Sequence, residues 1–371
     1  MLGLWCLLLF YYGLGAGELY RTETLRAVLA AEMLRSGNWV VPTLYGEPLL
    51  TKPPGMYIAI ALASWPVGAV TETTARLPSA VAATVTVWLL YWYFARQTGR
   101  QGGLVAALLA PVSFLWLDKA PSAEIDMLQV AWVTASIVFA LRAVEVAEDE
   151  SRPHPAVGWW LAALLCVAGG VLTKWTAPVF FYGTLIPLLW WRGRLRLLFG
   201  RAHVLSAAVG AAVCLAWMAA AVQQVGWELF STTVRGEAVQ HLLPGYHHKP
   251  LAWWRTPAQP LVALAAGLPC AAFALGALRP GFAGQWDARG RRLLQALHCW
   301  TWPNLFFWSW FVGRSVRHGF PVAPGLAGLA ALVWVSWLRS ARGNGSRRPV
   351  YCLAGLVAVW LVVKVAFVQA V

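Results

Sequence analysis

Charge is what this 371-residue sequence has least of: 12% of its residues are charged, about half the share usual in soluble domains. That scarcity excludes a water-soluble globule, because a surface with so few charges and a chain that is 59% hydrophobic leave more apolar area than one core can hide. Acidic residues are scarcer than basic ones, 15 against 29. Cysteine is sparse too. The six (Cys6, Cys166, Cys214, Cys270, Cys299, Cys352) lie within or at the ends of apolar runs and form no CxxC pair. They read as small core hydrophobes, not as disulfides or zinc ligands. Also missing are a fixed-period repeat, a low-complexity tract and any stretch long enough to fold alone as a soluble domain.

What the sequence has is long apolar runs. They cover approximately 1–16, 55–70, 76–95, 103–117, 126–143, 157–173, 176–191, 203–223, 257–278, 294–312, 319–338 and 349–370. Most match the roughly 20 residues that a helix needs to cross a bilayer. Trp is abundant at 24 and gathers near run ends, as at Trp190, Trp191, Trp253 and Trp254, which suits an interfacial aromatic belt. Residues 2–16 have no basic segment before them and no clear small-residue cleavage site after them, so they read as a first membrane helix, not as a cleaved signal. The fold class expected is an all-α polytopic membrane protein.

The net charge of +14 would suggest nucleic acid in a soluble protein. Here the basic residues sit in short loops between apolar runs, as cytoplasmic loops do, and no nucleic-acid partner is expected. The basic loops hold Arg96 and Arg100; Arg192, Arg194, Arg196 and Arg201; Arg279, Arg289, Arg291 and Arg292; and Arg339, Arg342, Arg347 and Arg348, with a mixed loop at 142–156. If 55–70 crosses the membrane, these loops fall outside. If 55–70 lies along the outer interface, all fall inside. That segment opens on Pro53-Pro54-Gly55 and is short for a span. The expected topology is therefore about eleven transmembrane helices, plus an interfacial helix pair in the first outer loop. It places Glu18, Glu23, Lys52, Asp126, Lys174, Glu237, His241, His247, His248, Arg314, Arg317 and His318 on the extracytoplasmic side.

The first outer loop is the most informative. Residues 23–35 have a helical pattern with Gly37 as a stop, and Gly46-Glu47-Pro48 and Pro53-Pro54 force turns. A carboxylate at the helix start, Glu23, can act as a general base, and a lysine fixed by prolines, Lys52, can grip a phosphate. The plainer readings are a helix-dipole carboxylate for Glu23 and a snorkelling side chain for Lys52. For Asp126 the plain reading is likewise a helix-start carboxylate. Lys174 and Arg317 read as interfacial anchors, although cations on the outer side oppose the positive-inside bias. The pair His247-His248 could hold a metal, but adjacent histidines point apart in a strand and no third ligand is evident; a phosphate or substrate contact suits it better. No metal ligand is assigned and no cofactor is certain; a divalent metal stays open as an alternative that no ligand set supports. Lys364, inside the last run, should face protein or snorkel.

The same loop carries Thr22-Glu23, Ala30-Ala-Glu-Met-Leu34, Ser36-Gly-Asn-Trp39, Val41-Pro42, Tyr45-Gly-Glu-Pro48 and Thr51-Lys-Pro-Pro54, followed by Arg76-Leu-Pro-Ser-Ala80. This series closely resembles the first extracytoplasmic loop of the GT-C membrane glycosyltransferases. The nearest branch is that of the lipid A aminoarabinose transferases and protein O-mannosyltransferases. Ile125-Asp126-Met127, Leu172-Thr-Lys174, Tyr246-His247-His248-Lys249-Pro250 and Arg317-His318-Gly-Phe-Pro321 resemble later family segments more thinly. The resemblance implies a GT-C catalytic module over 1–324, including the first outer loop 17–75, with C-terminal transmembrane helices at 325–371 and without the family's C-terminal soluble domain. Two departures stand out: Thr22 replaces the leading acid of the family's Asp-Glu pair, and Thr51 replaces the acid before the lysine.

The activity that the resemblance implies is transfer of a hexose or pentose from a polyprenyl-phosphate donor to a lipid, glycan or protein acceptor. It would take place on the extracytoplasmic face of the inner or plasma membrane. Glu23 would be the base and Asp126 its orienting partner. Lys52, Lys174 and Arg317 would hold the donor phosphate. Glu18, Tyr45, His247, His248 and His318 would contact substrate. One base opposite one leaving group implies inversion at the anomeric carbon. The rivals are a transporter or flippase of lipid-linked sugars, disfavoured by charges that lie in loops and by the absence of a repeat, and a catalytically inactive carbohydrate-binding relative.

Overall fold

The computed structural model describes residues 1–149, 156–242, 255–310 and 315–369, with the side chains at 237–242, 255–257 and 310 excepted. His247, His248 and Arg314 lie outside the described residues, as do the side chains of Glu237 and His241.

Helices dominate, as the composition requires. They are α1 (Leu2–Cys6, continued to Tyr11), α2 (Thr22–Ser36), α3 (Gly55–Ser64), α4 (Glu72–Leu109), α5 (Phe114–Lys119), α6 (Ile125–Glu148), α7 (Val157–Lys174), α8 (Ala177–Trp191), α9 (Arg201–Val225), α10 (Trp227–Leu242), α11 (Arg255–Ala266), α12 (Cys270–Leu275), α13 (Ala288–Trp310), α14 (Ala323–Gly343) and α15 (Arg348–Gln369). Among the described residues, six helical stretches are long and apolar enough to cross a membrane: 72–109, 125–148, 157–174, 201–225, 316–343 and 348–369. Leu2–Tyr11, Gly55–Val67 and Ala177–Trp191 are shorter apolar helices. The chain is thus a multi-pass integral membrane protein with an all-helical fold.

Two of the expected continuous spans are broken. The runs 76–95 and 103–117 belong to one helical stretch that turns at Gly99, where φ is 84°. A Cβ at Gly103 would lie 2.8 Å from the Tyr91 carbonyl oxygen, so the chain doubles back on itself there. The second arm stops at Leu109 and resumes at Phe114, and the run 257–278 likewise breaks between Ala266 and Cys270. Pro111 and Pro269 account for both breaks, since proline cannot donate to the helical ladder. The breaks face each other: Ser113 bridges Pro269. The Cys270 thiol donates to the carbonyls of Leu109 (3.2 Å) and Val112 (3.4 Å), and Trp360 Nε1 donates to that of Pro111 at 3.1 Å. Irregular backbone is tolerated at membrane depth where protein groups take up its freed polar atoms in this way.

The two ends of the bundle differ in chemistry. At one end the Arg-rich loops are tied together. Arg192 and Arg292 both lie 3.6 Å from the Glu148 carboxylate, and Glu145 accepts from the Tyr93 hydroxyl and from Gln97. The opposite end receives residues 14–71, the start of α6, the end of α7 and the turn Val316–Val322. Helix α2 ends where expected, at Gly37 with φ 69°. Helix α3 lies against it, with Met56, Tyr57, Ile60 and Ala61 clustered with Leu29, Ala30 and Met33. At ten residues, α3 is about 15 Å long, half the hydrocarbon thickness. The loop after α2 rests on the end of α9, where Trp217 Nε1 donates to the Val40 carbonyl at 3.0 Å. Lys364 is buried against the bundle, one of the two placements expected for it.

Candidate active site

The site is assembled from chain segments far apart in sequence, and Arg76 starts it. Pro78 and Ser79 follow it in the first turns of α4. Its Nη1 donates to the carbonyls of Leu14 (3.2 Å), Ala16 (2.6 Å) and Gly17 (3.4 Å), and its Nη2 to that of Glu18 (3.0 Å). Nε and Nη2 also grip Glu23, at 3.1 and 3.2 Å. The chain between α1 and α2 is therefore wrapped around one buried guanidinium, whose planar fork suits this purpose. Glu23 accepts two further bonds, from the N–H groups of Ala123 (2.7 Å) and Tyr20 (3.1 Å). Burial alone would raise the Glu23 carboxyl. Arg76 and the two N–H groups outweigh burial and hold it below its ordinary value. Both oxygens of Glu23 are occupied.

Glu124 is a carboxylate that no sequence motif marked. It is buried at the N-cap of α6, and three segments converge on it. Lys119 Nζ and Thr22 Oγ1 each lie 3.2 Å from its Oε1, and Arg317 Nη1 lies 3.3 Å from its Oε2. Ser79 Oγ donates to its carbonyl at 3.3 Å. One helical turn thus explains the Arg76-Leu-Pro-Ser79 motif: its first residue holds Glu23 and its last holds Glu124. Burial alone would lower the Lys119 ammonium, but Asp118 and Glu124 outweigh it and raise it. In the sequence Glu124 had no signal beyond its place two residues before Asp126.

Asp126 is fully buried and accepts a 2.6 Å bond from Lys174 Nζ at the end of α7. The turn that carries Lys52 sits directly on that end. A Cβ at Gly55 would lie 2.7 Å from the Leu172 carbonyl oxygen and 2.9 Å from Thr173 Oγ1. Lys52 lies three residues before Gly55, and Arg317 pairs with Glu124, two residues before the Asp126 that holds Lys174. Lys52, Lys174, Arg317, Asp126 and Glu124 therefore share one site, and Glu23 lies beside it. The other expected substrate contacts stand apart from it or at its margin. Glu18 joins through its carbonyl, with an exposed carboxylate. His318 is half-buried in the turn after Ser315. Tyr45 is 88% exposed.

Tyr45 stands at the tip of a hairpin in which β1 (Thr43–Leu44) pairs with β2 (Glu47–Pro48). The left-handed φ of Tyr45 (54°) and of Gly46 (83°) fits a two-residue hairpin turn. Glu32 secures the tip by accepting from Thr43 Oγ1 (2.6 Å), Tyr45 N (2.6 Å) and Gly46 N (3.3 Å). The Thr43 hydroxyl, and after it those N–H groups, hold its carboxyl below the ordinary value. Glu32→Ala should free the tip, and limited proteolysis between residues 43 and 48 should run faster than in the wild type, with helix content unchanged.

Among the described residues, no three His, Cys, Asp or Glu side chains come together as a metal site would need.

Comparison with known proteins places this arrangement. Residues 51–220 match the family described as dolichyl-phosphate-mannose-protein mannosyltransferase. The chain is 26% identical over 331 residues to the undecaprenyl phosphate-alpha-4-amino-4-deoxy-L-arabinose arabinosyl transferase of Erwinia tasmaniensis, covering 88% of this chain and 56% of that protein. It is 28% identical over 354 residues to the protein of the same name from Pseudomonas savastanoi pv. phaseolicola, covering 91% and 62%. Its fold matches that of ArnT from Cupriavidus metallidurans bound to undecaprenyl phosphate, with a TM-score of 0.69 at 17% identity over 92% of this chain and 62% of that one. It also matches the archaeal oligosaccharyltransferase AglB from Archaeoglobus fulgidus, with a TM-score of 0.57 at 14% identity over 94% and 51%. The chain spans about 56–62% of the length of the two curated relatives. In sequence it resembles the aminoarabinose-transferase and protein-mannosyltransferase branch of the GT-C membrane glycosyltransferases, and its fold is theirs.

Proposed function

We propose that this chain is a membrane glycosyltransferase that moves a sugar from a polyprenyl-phosphate carrier to an acceptor, on the extracytoplasmic face, with inversion. One observation carries the reading. Three cations from separate segments, Lys52, Lys174 and Arg317, gather with the buried carboxylates Glu124 and Asp126 at one end of a membrane bundle. The leaving group of such a transfer is a phosphate whose negative charge grows in the transition state, and preorganised cations in a water-poor site stabilise it. The names of the relatives, which pair undecaprenyl phosphate with a pentose, support a polyprenyl-phosphate pentose or hexose as donor. The acceptor is a lipid, glycan or protein of the envelope.

Within this reading the carboxylates divide the work. Glu23, with four hydrogen bonds, anchors the first outer loop on Arg76. Asp126 holds Lys174 in place for the donor phosphate. Tyr45, His318 and Glu18 line the approach for substrate, and His247 and His248 remain substrate contacts on sequence grounds. The module that carries the chemistry is 1–324, and 325–371 supply helices that pack against it. The topology has eleven crossings in the inner or plasma membrane, with α3 on the outer interface.

The test is a transfer assay in proteoliposomes, using undecaprenyl-phosphate aminoarabinose and polyprenyl-phosphate mannose as donors. Lys52→Ala should lower kcat about 10²–10³-fold, the usual cost of removing one transition-state charge partner. Full activity in Lys52→Ala would show that the phosphate binds elsewhere. Topology has its own check: Thr98→Cys should react with an impermeant maleimide only after the inner face is opened, and labelling from outside would reverse the assigned sides.

A further inference from the structure

We infer that Glu124, the carboxylate that meets the side chain of Thr22, takes the proton from the acceptor. The inference rests on the glycosyltransferase reading above. In the structure the Thr22 hydroxyl donates to Glu124 Oε1 at 3.2 Å, so a carboxylate from the start of α6 reaches the side chain of position 22 from the other side.

The neighbouring acids are already engaged. Glu23 accepts four hydrogen bonds, two of them from a buried guanidinium. Asp126 is bound by Lys174 at 2.6 Å. Glu124 is held at 3.2–3.3 Å by Lys119, Arg317 and the Thr22 hydroxyl, and that hydroxyl is neutral and can rotate. Its Oε2 faces Arg317, whose side chain is 38% exposed, so Arg317 leads from that oxygen towards the surface.

The step balances. The acceptor O–H or N–H gives its proton to Glu124 as its heteroatom bonds to the anomeric carbon. The bond from that carbon to the phosphate oxygen breaks, and the electron pair leaves on polyprenyl phosphate beside Lys52 and Lys174.

The experiment compares wild type, Glu124→Gln and the double variant Thr22→Asp/Glu124→Gln in the proteoliposome assay, with thermal unfolding of each. General-base removal should lower kcat at least about 10²-fold, with KM for donor within about threefold of wild type. The double variant should recover at least tenfold and show a changed acid limb in its kcat–pH profile. If Glu124→Gln unfolds below the assay temperature, the double variant still decides, because Asp at 22 restores a negative charge near Lys119 and Arg317. A folded but inactive double variant would overturn the inference, and so would a single variant that keeps wild-type kcat while the wild type transfers sugar. A wild type inactive with every donor would instead overturn the glycosyltransferase reading, and this inference with it.

Discussion

Replacing Glu23 with glutamine is expected to lower the unfolding free energy by about 3–5 kcal/mol, the usual cost of stranding one partner of a buried ion pair. The amide cannot accept both guanidinium bonds of Arg76, and it leaves a buried positive charge beside four backbone carbonyls. Residues 14–23 should loosen first, since the carbonyls of Leu14, Ala16, Gly17 and Glu18 depend on that guanidinium. Hydrogen exchange in detergent should show the loss of protection there, together with a lowered Tm. The pH dependence follows from the depressed Glu23 carboxyl. Its contribution is complete above the ordinary glutamate value of about 4.3 and is lost as pH falls through the lower folded value. The wild type should therefore lose stability below about pH 4, by a margin that Glu23→Gln lacks. A variant with wild-type Tm and a selectively reduced kcat would return Glu23 to the role of base.

Lys174→Met is expected to cost a similar about 3–5 kcal/mol, because it leaves the fully buried Asp126 without its 2.6 Å partner. The informative comparison is with the double variant Asp126→Leu/Lys174→Met. Removing both charges from a buried site often restores or exceeds the original stability. If the pair serves only the fold, activity should return with stability. Under the proposed function stability returns, while kcat stays at least about 10²-fold down, because a transition-state cation has gone. Thermal unfolding and initial transfer rates on the same preparations separate these outcomes.

Much of the fold was legible because membrane solvation is a severe filter. Apolar runs near 20 residues can only be helices, and most of the runs hold helices close to the expected limits. The turn chemistry was equally local. Gly37 ends α2 as expected, and Gly46 does lie in a turn, but that turn is Tyr45-Gly46, and Glu47-Pro48 form the second strand of the hairpin. The two broken spans were less legible. Pro111 and Pro269 were visible, but nothing in the sequence said that the breaks would meet and be satisfied by Cys270 and Trp360. The helix α10 in the loop after α9 was also unread, since its mixed composition has no membrane signature.

The site was half legible. Cations on the side opposed by the positive-inside bias, Lys52, Lys174 and Arg317, do converge. The roles of the acids were harder to read, because they depend on which oxygen is already occupied. Glu23 looked like a base from its helix-start position, yet its partners come from residues 20, 76 and 123. Glu124 carried no motif, and its importance comes from Thr22, Lys119 and Arg317, which only the folded chain brings together. Thr22 was visible as a departure from the resembled pattern, whereas its contact with Glu124 is a matter of tertiary geometry.

The central claim is that a bond to phosphate is broken. The most direct measurement follows wild-type protein in proteoliposomes loaded with undecaprenyl-phosphate aminoarabinose labelled in the sugar and in the lipid, with envelope lipids as acceptor. The predicted result is that sugar label moves to an acceptor while one equivalent of free undecaprenyl phosphate appears. Intact donor carried to the opposite leaflet with no phosphate released would identify a transporter and contradict the claim; donor bound and left uncut would contradict it as well.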